Sequence, residues 1–421
     1  MAFPKTCCVL ASVLTMVVRG VDAPFHASPE QAVRQAHAEL CGRLLSPQGL
    51  LWDYVGELPT PKDCGECRPN AMGWWSPIEN GPMFTGPWLA SMCARARRTG
   101  AAADRELCRK LADGLLLAAS VSDVPGMIAR GVGTDGRCHY PFGSLDQTLP
   151  WYFGLYAYWR SGLADAGQTR RIRDKMLEVA RAMEAKGWQV PTDGTFRGNF
   201  CGDFTHNDLA FRGATHFLFL LRALAEVSGD ARYMEEYNKA RRAPCAPASQ
   251  PREDVCAAGC LVDREKYDCD GMGVWIYVAA QGCLAELHRL ESDPVVKAKY
   301  RLGLDRTAEA VRRTMAWSRD WRNTREVPFR YANWRTGYRW KEQKTHRDAL
   351  GVAGSGNPEI LGTRKELERR QVSCPLSAAA ICAYAGRYRD EVERTLCRYD
   401  YSTVNISEFF HAEIAWWGLG E

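Results

Sequence analysis

Nowhere in its 421 residues does this chain hold about 18 consecutive apolar residues free of charge, the length that a membrane-spanning helix needs. No membrane span is expected. Excess charge of one sign is equally scarce: 55 basic residues against 50 acidic ones leave +5, too balanced for binding nucleic acid through bulk electrostatics. The 37 glycines and 21 prolines follow no short period, which excludes a collagen-like chain, and 46% hydrophobic residues exclude a disordered one. Alternating runs of β-branched residues are too short to establish a sheet. Sharply repeated motifs are missing, which argues against tetratricopeptide, HEAT and ankyrin arrays. The chain also lacks a Walker loop, a dinucleotide fingerprint, a Gly-x-Ser-x-Gly elbow and a His-Glu-x-x-His helix. Nucleotide, serine-hydrolase and zincin chemistries therefore have no motif to rest on, and neither a cofactor nor a metal ion is expected. Aromatic residues, by contrast, are plentiful, with 14 Trp, 16 Tyr and 14 Phe. Trp and Tyr join a flat apolar face to a hydrogen-bonding handle, which suits sugar rings as well as a core.

Thr6 to Val18 is uncharged and mostly apolar behind Lys5, the length of a signal-peptide core. Residues 1–23 are expected to be a leader removed on export, cleaved after Val21-Asp22-Ala23 or Val18-Arg19-Gly20, which makes the mature protein secreted or periplasmic. Of the 17 cysteines, Cys7 and Cys8 leave with the leader, so an odd number remains and at least one thiol stays free. Cys245, Cys256, Cys260 and Cys269 crowd a stretch near 243–270, read as an insertion in a single catalytic domain over 24–421. Cys64 and Cys67 lie in a second irregular stretch. Export favours local disulfides there; zinc is the weaker reading, because the spacing is not a double Cys-x-x-Cys knuckle. Cys93, Cys108, Cys283 and Cys382 sit in apolar helical patterns and read as small core residues.

Helix-start signals recur along the chain. Ser28-Pro29-Glu30-Gln31 is a capping box ahead of the stripe Ala32, Val33, Ala36, Leu40 and Leu44. Ser144 with Gln147 and Thr205 with Asp208 read as two further boxes, and Asp293-Pro294 opens a helix of about 25 residues through Trp317. Periodic segments near 86–98, 104–119, 168–186, 231–241, 272–290, 376–385, 388–398 and 406–417 bring the count to about a dozen helices, an all-α fold. Helices that begin in Gly- and aromatic-rich loops alternate with charged amphipathic ones, as the inner and outer helices of a closed α/α toroid do. Glu79-Asn80-Gly81-Pro82 with Phe84-x-Gly86, Gly126-x-x-Ala129-Arg130-Gly131 running to His139-Tyr140-Pro141, Asp146-Gln147, and Leu220 through Gly229-Asp230 to Tyr233 carry a resemblance. Over roughly residues 29–417 the chain resembles the six-hairpin (α/α)6 carbohydrate-active enzymes, a group of glycoside hydrolases and polysaccharide lyases. The resemblance implies one (α/α)6-type toroid of helical hairpins.

Two stretches concentrate chemistry. In the first, Arg130 and Arg137 are suited to a substrate carboxylate, His139 and Tyr140 to proton transfer, and Asp146 stands at a helix N-terminus. The plainer alternative has Asp146 facing the helix dipole, Gln147 closing a capping box and Arg130 paired with Asp135. In the second stretch, Arg212 and His216 follow Asp208 at intervals of four, on one helix face. A buried Asp–Arg–His row belongs on a cavity wall, whereas an exposed Asp208–Arg212 pair is ordinary. His206, at the helix mouth, is the better proton-transfer candidate. Glu79 and Asn80, preceded by Trp74 and Trp75, read as the rim of a sugar subsite or as a packed loop. Gln147, Trp151 and Arg212 complete the expected substrate contacts. On the last helix, Glu408, His411, Glu413, Trp416 and Trp417 include a histidine that reads as a wall residue. The basic and aromatic run Phe329, Arg330, Tyr331, Trp334, Arg335, Tyr338, Arg339 and Trp340 suits an anionic sugar or a solvated hairpin.

These features point to a secreted enzyme that hydrolyses glycosidic bonds in an acidic, uronate-containing oligo- or polysaccharide. Asp146 and Asp208 are the expected carboxylate pair, with Asp203 and Glu79 in reserve. β-Elimination is the alternative, with Arg130 or Arg137 neutralising the uronate and His139, Tyr140 or His206 as base and acid. It stays open because Arg212, one turn from Asp208, would hold that acid ionised. A non-catalytic glycan-binding protein is the third reading. The expected partner is an acidic carbohydrate, with no nucleic acid and no membrane span.

Overall fold

A computed structural model describes residues 24–329, 334–335, 340–360 and 363–418. The expected leader at 1–23 lies outside them, as do Arg330, Tyr331, Tyr338 and Arg339 of the basic aromatic run. The structure is mostly helical, 62% helix against 4% strand. Its helices in chain order are α1 (Pro29–Glu39), α2 (Pro61–Gly65), α3 (Gly81–Thr99), α4 (Ala102–Ala118), α5 (Leu145–Arg160), α6 (Ala166–Glu184), α7 (Ala210–Ser228) and α8 (Ala231–Arg242). There follow α9 (Arg252–Ala258), α10 (Val278–Leu290), α11 (Pro294–Val311), α12 (His346–Ile360), α13 (Thr363–Glu368), α14 (Cys374–Tyr384), α15 (Arg389–Leu396) and α16 (His411–Trp417). Two antiparallel ribbons, Gln189–Pro191 with Phe200–Asp203 and Pro244–Cys245 with Gln250–Pro251, supply the strands.

Local chemistry sets several of these boundaries. Ser28 accepts from the Gln31 amide at 3.4 Å beside Pro29, and Asp293 accepts from Val295 at 2.9 Å beside Pro294, so α1 and α11 start where the sequence places them. The other two boxes do not form. Gln147 turns away from Ser144 to bond α3, and α7 begins only after Leu209, leaving Asp208 ahead of the helix.

Helices pack in hairpins, α3 on α4, α5 on α6, α7 on α8, α10 on α11, α14 on α15, with α1 against α16. Their first members also touch in turn: α3 meets α5, α5 meets α7, α7 meets α10, α10 meets α14, α14 meets α16, and α16 returns to α3. The burial pattern follows. α14 is buried from Cys374 to Ala383, as expected of a helix enclosed on all sides, whereas α6 buries Gln168 and the apolar stripe Ile172, Met176, Val179, Ala180 and Met183. Where α3 crosses α5 the backbones touch. A Cβ on Gly86 would lie 1.9 Å from the Pro150 carbonyl oxygen, so only glycine fits. The cysteine-rich segment belongs to the same core: Cys245, Cys256, Cys260 and Cys269 are buried there, with α9 against α7 and α11. Cys93, Cys108, Cys283 and Cys382 are buried core residues, and all the described cysteines are unbonded thiols.

Candidate functional site

The N-terminal ends of α3, α5, α7, α10 and α16 surround a cavity of about 210 Å³, closed by the Trp74–Asn80 loop, α13 and the turn at Ser407–Phe410. Helix N-termini carry partial positive charge, which favours an anionic ligand in the space they share.

One polar set is built on Asp53, which is buried and accepts both the backbone and side-chain amides of Asn80, each at 2.7 Å. Asn80 Oδ1 in turn accepts from Gln147 Nε2 at 3.0 Å, and Gln147 Oε1 takes the Met83 amide at 3.1 Å. Gln147 is thus the strut that joins α5 to α3. Arg130 donates to the Glu79 carbonyl at 3.2 Å and to Ser144 Oγ at 3.3 Å, rather than to Asp135 as in the plainer alternative. Glu79 Oε2 accepts the Trp75 amide at 2.8 Å, an amide aimed by a left-handed backbone at Trp75 (φ 75°). Such a conformation is costly for a bulky residue and persists only where its surroundings enforce it. Here Trp75 Nε1 is tied to the Ala353 carbonyl at 3.0 Å, and Lys365 Nζ lies 5.6 Å from the indole centre.

Glu408, Lys365 and Arg369 complete this set on the cavity wall. Burial, and next the charge of Glu79, raises Asp53 well above the usual carboxylate range. Burial also raises Glu408, against the pull of Lys365 and Arg369. Lys365 is pushed down to about 8 by burial and by Arg369. Burial thus shifts Asp53 and Glu408 toward their protonated forms, the direction a general acid requires.

A second polar set comes from α5 and α7, where Asp146 forms an ion pair with Arg212. Burial pushes Arg212 down to about 10. His216, one turn further along α7, is 3% exposed and held well below its ordinary value by burial and then by Arg212, so it is neutral. Neither of its ring nitrogens has a hydrogen-bond partner among the described residues. Trp275, Ile276 and Val278 lie on the same cavity lining, as does His411, which burial pushes down to about 3.

Of the residues singled out in the sequence, Trp74, Trp75, Glu79, Asn80, Arg130, Asp146, Arg212, His216, Glu408 and His411 line the cavity, with Gln147 directly behind. The structure does not bring the others to it. Asp208 and His206 are exposed in the loop before α7, which is why Asp208 does not share a face with Arg212 and His216. Asp203 is spent on Thr205, at 2.7 Å from its amide. His139 has both nitrogens engaged, Nε2 with Asp193 at 2.8 Å and Nδ1 with the Arg137 carbonyl at 2.8 Å, leaving none for proton transfer. Tyr140 is wholly buried, its hydroxyl donating to the Arg68 carbonyl and its ring packed on Gly73. Arg137 is exposed in a turn that Asp135 closes by accepting its amide at 3.1 Å. Trp151 belongs to the core, where Nε1 donates to the Leu115 carbonyl at 2.6 Å. Arg335, from the basic run, is paired with Glu57 at 2.8 Å and with Asp63, away from the cavity.

Asp53, Lys365 and Arg369 are cavity residues that the sequence reading missed. An acid between aromatics at Trp52-Asp53-Tyr54 was the available signal for the first. α13 has no apolar stripe to announce the other two. No family model matches the chain, and no curated protein or solved structure matches it either.

Proposed function

We propose that the six successively touching helices close an (α/α)6-type toroid whose cavity hydrolyses glycosidic bonds in an acidic oligo- or polysaccharide outside the cytoplasm. One observation carries this reading: four carboxylates, Asp53, Glu79, Asp146 and Glu408, line a single cavity beside the aromatic faces of Trp74, Trp75 and Trp275. Glycosidases need one protonated and one ionised carboxyl group flanking the scissile bond. Glu408 takes the acid role, because burial shifts it toward its protonated form and neither of its oxygens is taken up by Asn80. Asp53 is less suited, since Asn80 occupies both of its oxygens. Asp146, ion-paired with Arg212, takes the base or nucleophile role and pairs with Glu408 in place of Asp208. Lys365, Arg369 and the surrounding helix N-termini neutralise the acid group of the sugar.

Incubation with a panel of acidic oligosaccharides, following reducing ends and ultraviolet absorbance together, tests the reading. New reducing ends without unsaturated product, reduced on the order of a hundredfold or more in Glu408→Gln and in Asp146→Asn, are expected of a general acid and base. Near-native activity in both variants refutes it. β-Elimination is the second reading, favoured by neutral His216 beside Arg212, a base next to a cation that could neutralise a uronate. Absorbance from unsaturated uronates, lost in His216→Ala, would transfer the function to a lyase.

A further inference from the structure

The two unpartnered nitrogens of His216 restrict what the cavity can hold. A neutral imidazole presents one donor and one acceptor, at opposite edges of the ring. Both are buried on the cavity lining with no protein partner among the described residues, an arrangement that is costly until a ligand supplies the complementary pair. An ionised carboxylate, sulfate or phosphate only accepts hydrogen bonds, so it leaves the imidazole lone pair unmet. An ammonium group only donates, so it leaves the N–H unmet. Hydroxyl groups do both. Protonation of His216 to meet an anion is opposed by its burial and by the neighbouring guanidinium. That guanidinium, Arg212, has its own charge balanced by Asp146. The same cavity lining holds Trp275, Ile276 and Val278, which offer a platform for the apolar face of a ring. The other cations of the lining belong to the other polar set, Arg130 donating to the Glu79 carbonyl and Ser144, and Lys365 and Arg369 beside Glu408.

We propose that His216 is a substrate-binding residue that reads hydroxyl groups on a sugar ring, while the acid group of the same ring lies at Lys365 and Arg369. The ligand is therefore a polyhydroxylated sugar acid, oriented with its hydroxyl-bearing edge on α7 and its charge at α13. This assignment rests on the reading of the cavity as a site for an acidic sugar. It also moves the carboxylate contact away from Arg130 and Arg137, the residues the sequence suggests for it.

Calorimetry on the mature protein, with D-glucuronate and with tetrahydropyran-2-carboxylate as the same acid stripped of hydroxyls, tests it. Glucuronate is expected to bind more tightly than the stripped acid. His216→Phe, which keeps the ring shape and removes both nitrogens, is expected to weaken glucuronate tenfold or more and to leave the stripped acid within twofold. His216→Asn, with a donor and an acceptor, is expected to recover part of the loss, and Lys365→Met to weaken both acids. Equal effects of His216→Phe on the two acids, or none on either, overturn the proposal. So does a wild type that does not prefer glucuronate. A readout free of any substitution is the ¹⁵N spectrum of the His216 ring, expected to move on adding glucuronate and not on adding the stripped acid; the reverse pattern overturns the proposal. Cleavage is scored separately. Intact hydroxyl discrimination without cleavage of any acidic oligosaccharide sinks the hydrolase reading alone, whereas cleavage without discrimination sinks this inference alone.

Discussion

Glu413 joins the two ends of the helical array, and replacing it by Gln is the sharpest test of how the fold is held. Its carboxylate is fully buried on α16 and accepts from His37 Nδ1 of α1 at 2.9 Å, and from Trp88 Nε1 and Arg95 Nη1 of α3 at 3.2 and 3.4 Å. Trp417 Nε1 adds a fourth donor at 3.3 Å, and Arg95 is also bridged to Asp104 of α4 at 3.0 Å. Glu413→Gln keeps the shape but turns an amide group toward a set made only of donors. Breaking a buried pair by removing one partner costs about 3–5 kcal/mol; with Arg95 still bound to Asp104, we expect about 2–4 kcal/mol. The pH dependence separates charge from packing. Burial alone would lower His37, yet its contacts with Cys41 and Glu413 carry it up to about 10 from an ordinary 6.5. A raised folded value means that the stabilisation is complete below about pH 6.5 and lost as pH rises through about 10. Counting only the Glu413 share leaves about 2–3 kcal/mol for one charge-assisted bond. Urea unfolding of wild type and variant at pH 6 and pH 10 is the assay. The gap between them should narrow by about that amount at the higher pH. An equal gap at both pH values, or a loss below about 1 kcal/mol at pH 6, refutes an ionised His37–Glu413 clasp.

Four further outcomes are expected. On an acidic substrate, kcat/KM should fall as pH rises through about 8, where Lys365 loses the charge that binds the acid group, and Lys365→Met should abolish that limb; a profile unchanged by the substitution contradicts the role. Because His411 is pushed down to about 3, its titration should leave no trace in the pH–rate profile between pH 5 and 9 on the time-honoured reasoning that a group far from its pKa does not change charge. Gly86→Ala should destabilise by about 1–3 kcal/mol or more, because the added methyl meets the Pro150 carbonyl and forces α3 from α5; denaturant unfolding within 0.5 kcal/mol of wild type, roughly the scatter for neutral surface changes, would contradict the close crossing. In protein recovered from an oxidising compartment, Cys260 and Cys269, buried thiols near enough to shift each other's ionisation, should be linked by a disulfide in a non-reducing peptide map. Stoichiometric zinc with four free thiols in that segment would sink the claim.

The sequence by itself determined the helical class and most helix positions, because caps such as Ser28 and Asp293 and stripes such as Ile172, Met176, Val179 and Met183 act between residues three or four apart. It also marked part of the cavity: Trp75, Glu79, Asn80, Arg130, Asp146 and Arg212 stand in loops and first turns where polar and aromatic residues cluster. What it misassigned turned on distances that no local pattern contains. A start at Ala210 two residues beyond the apparent box left Asp208 in solvent and carried Arg212 and His216 inward. Gln147 fits a capping box by spacing, but the approach of α3 gave it better partners at Asn80 and Met83. Asp53, Lys365 and Glu408 come from distant parts of the chain, and only the packing of α13 and α16 beside the Trp74–Asn80 loop sets their charges close enough to shift one another. Side-chain chemistry is written in the sequence, whereas burial and neighbouring charge, which decide whether a carboxyl group keeps its proton, exist only once the helices have met.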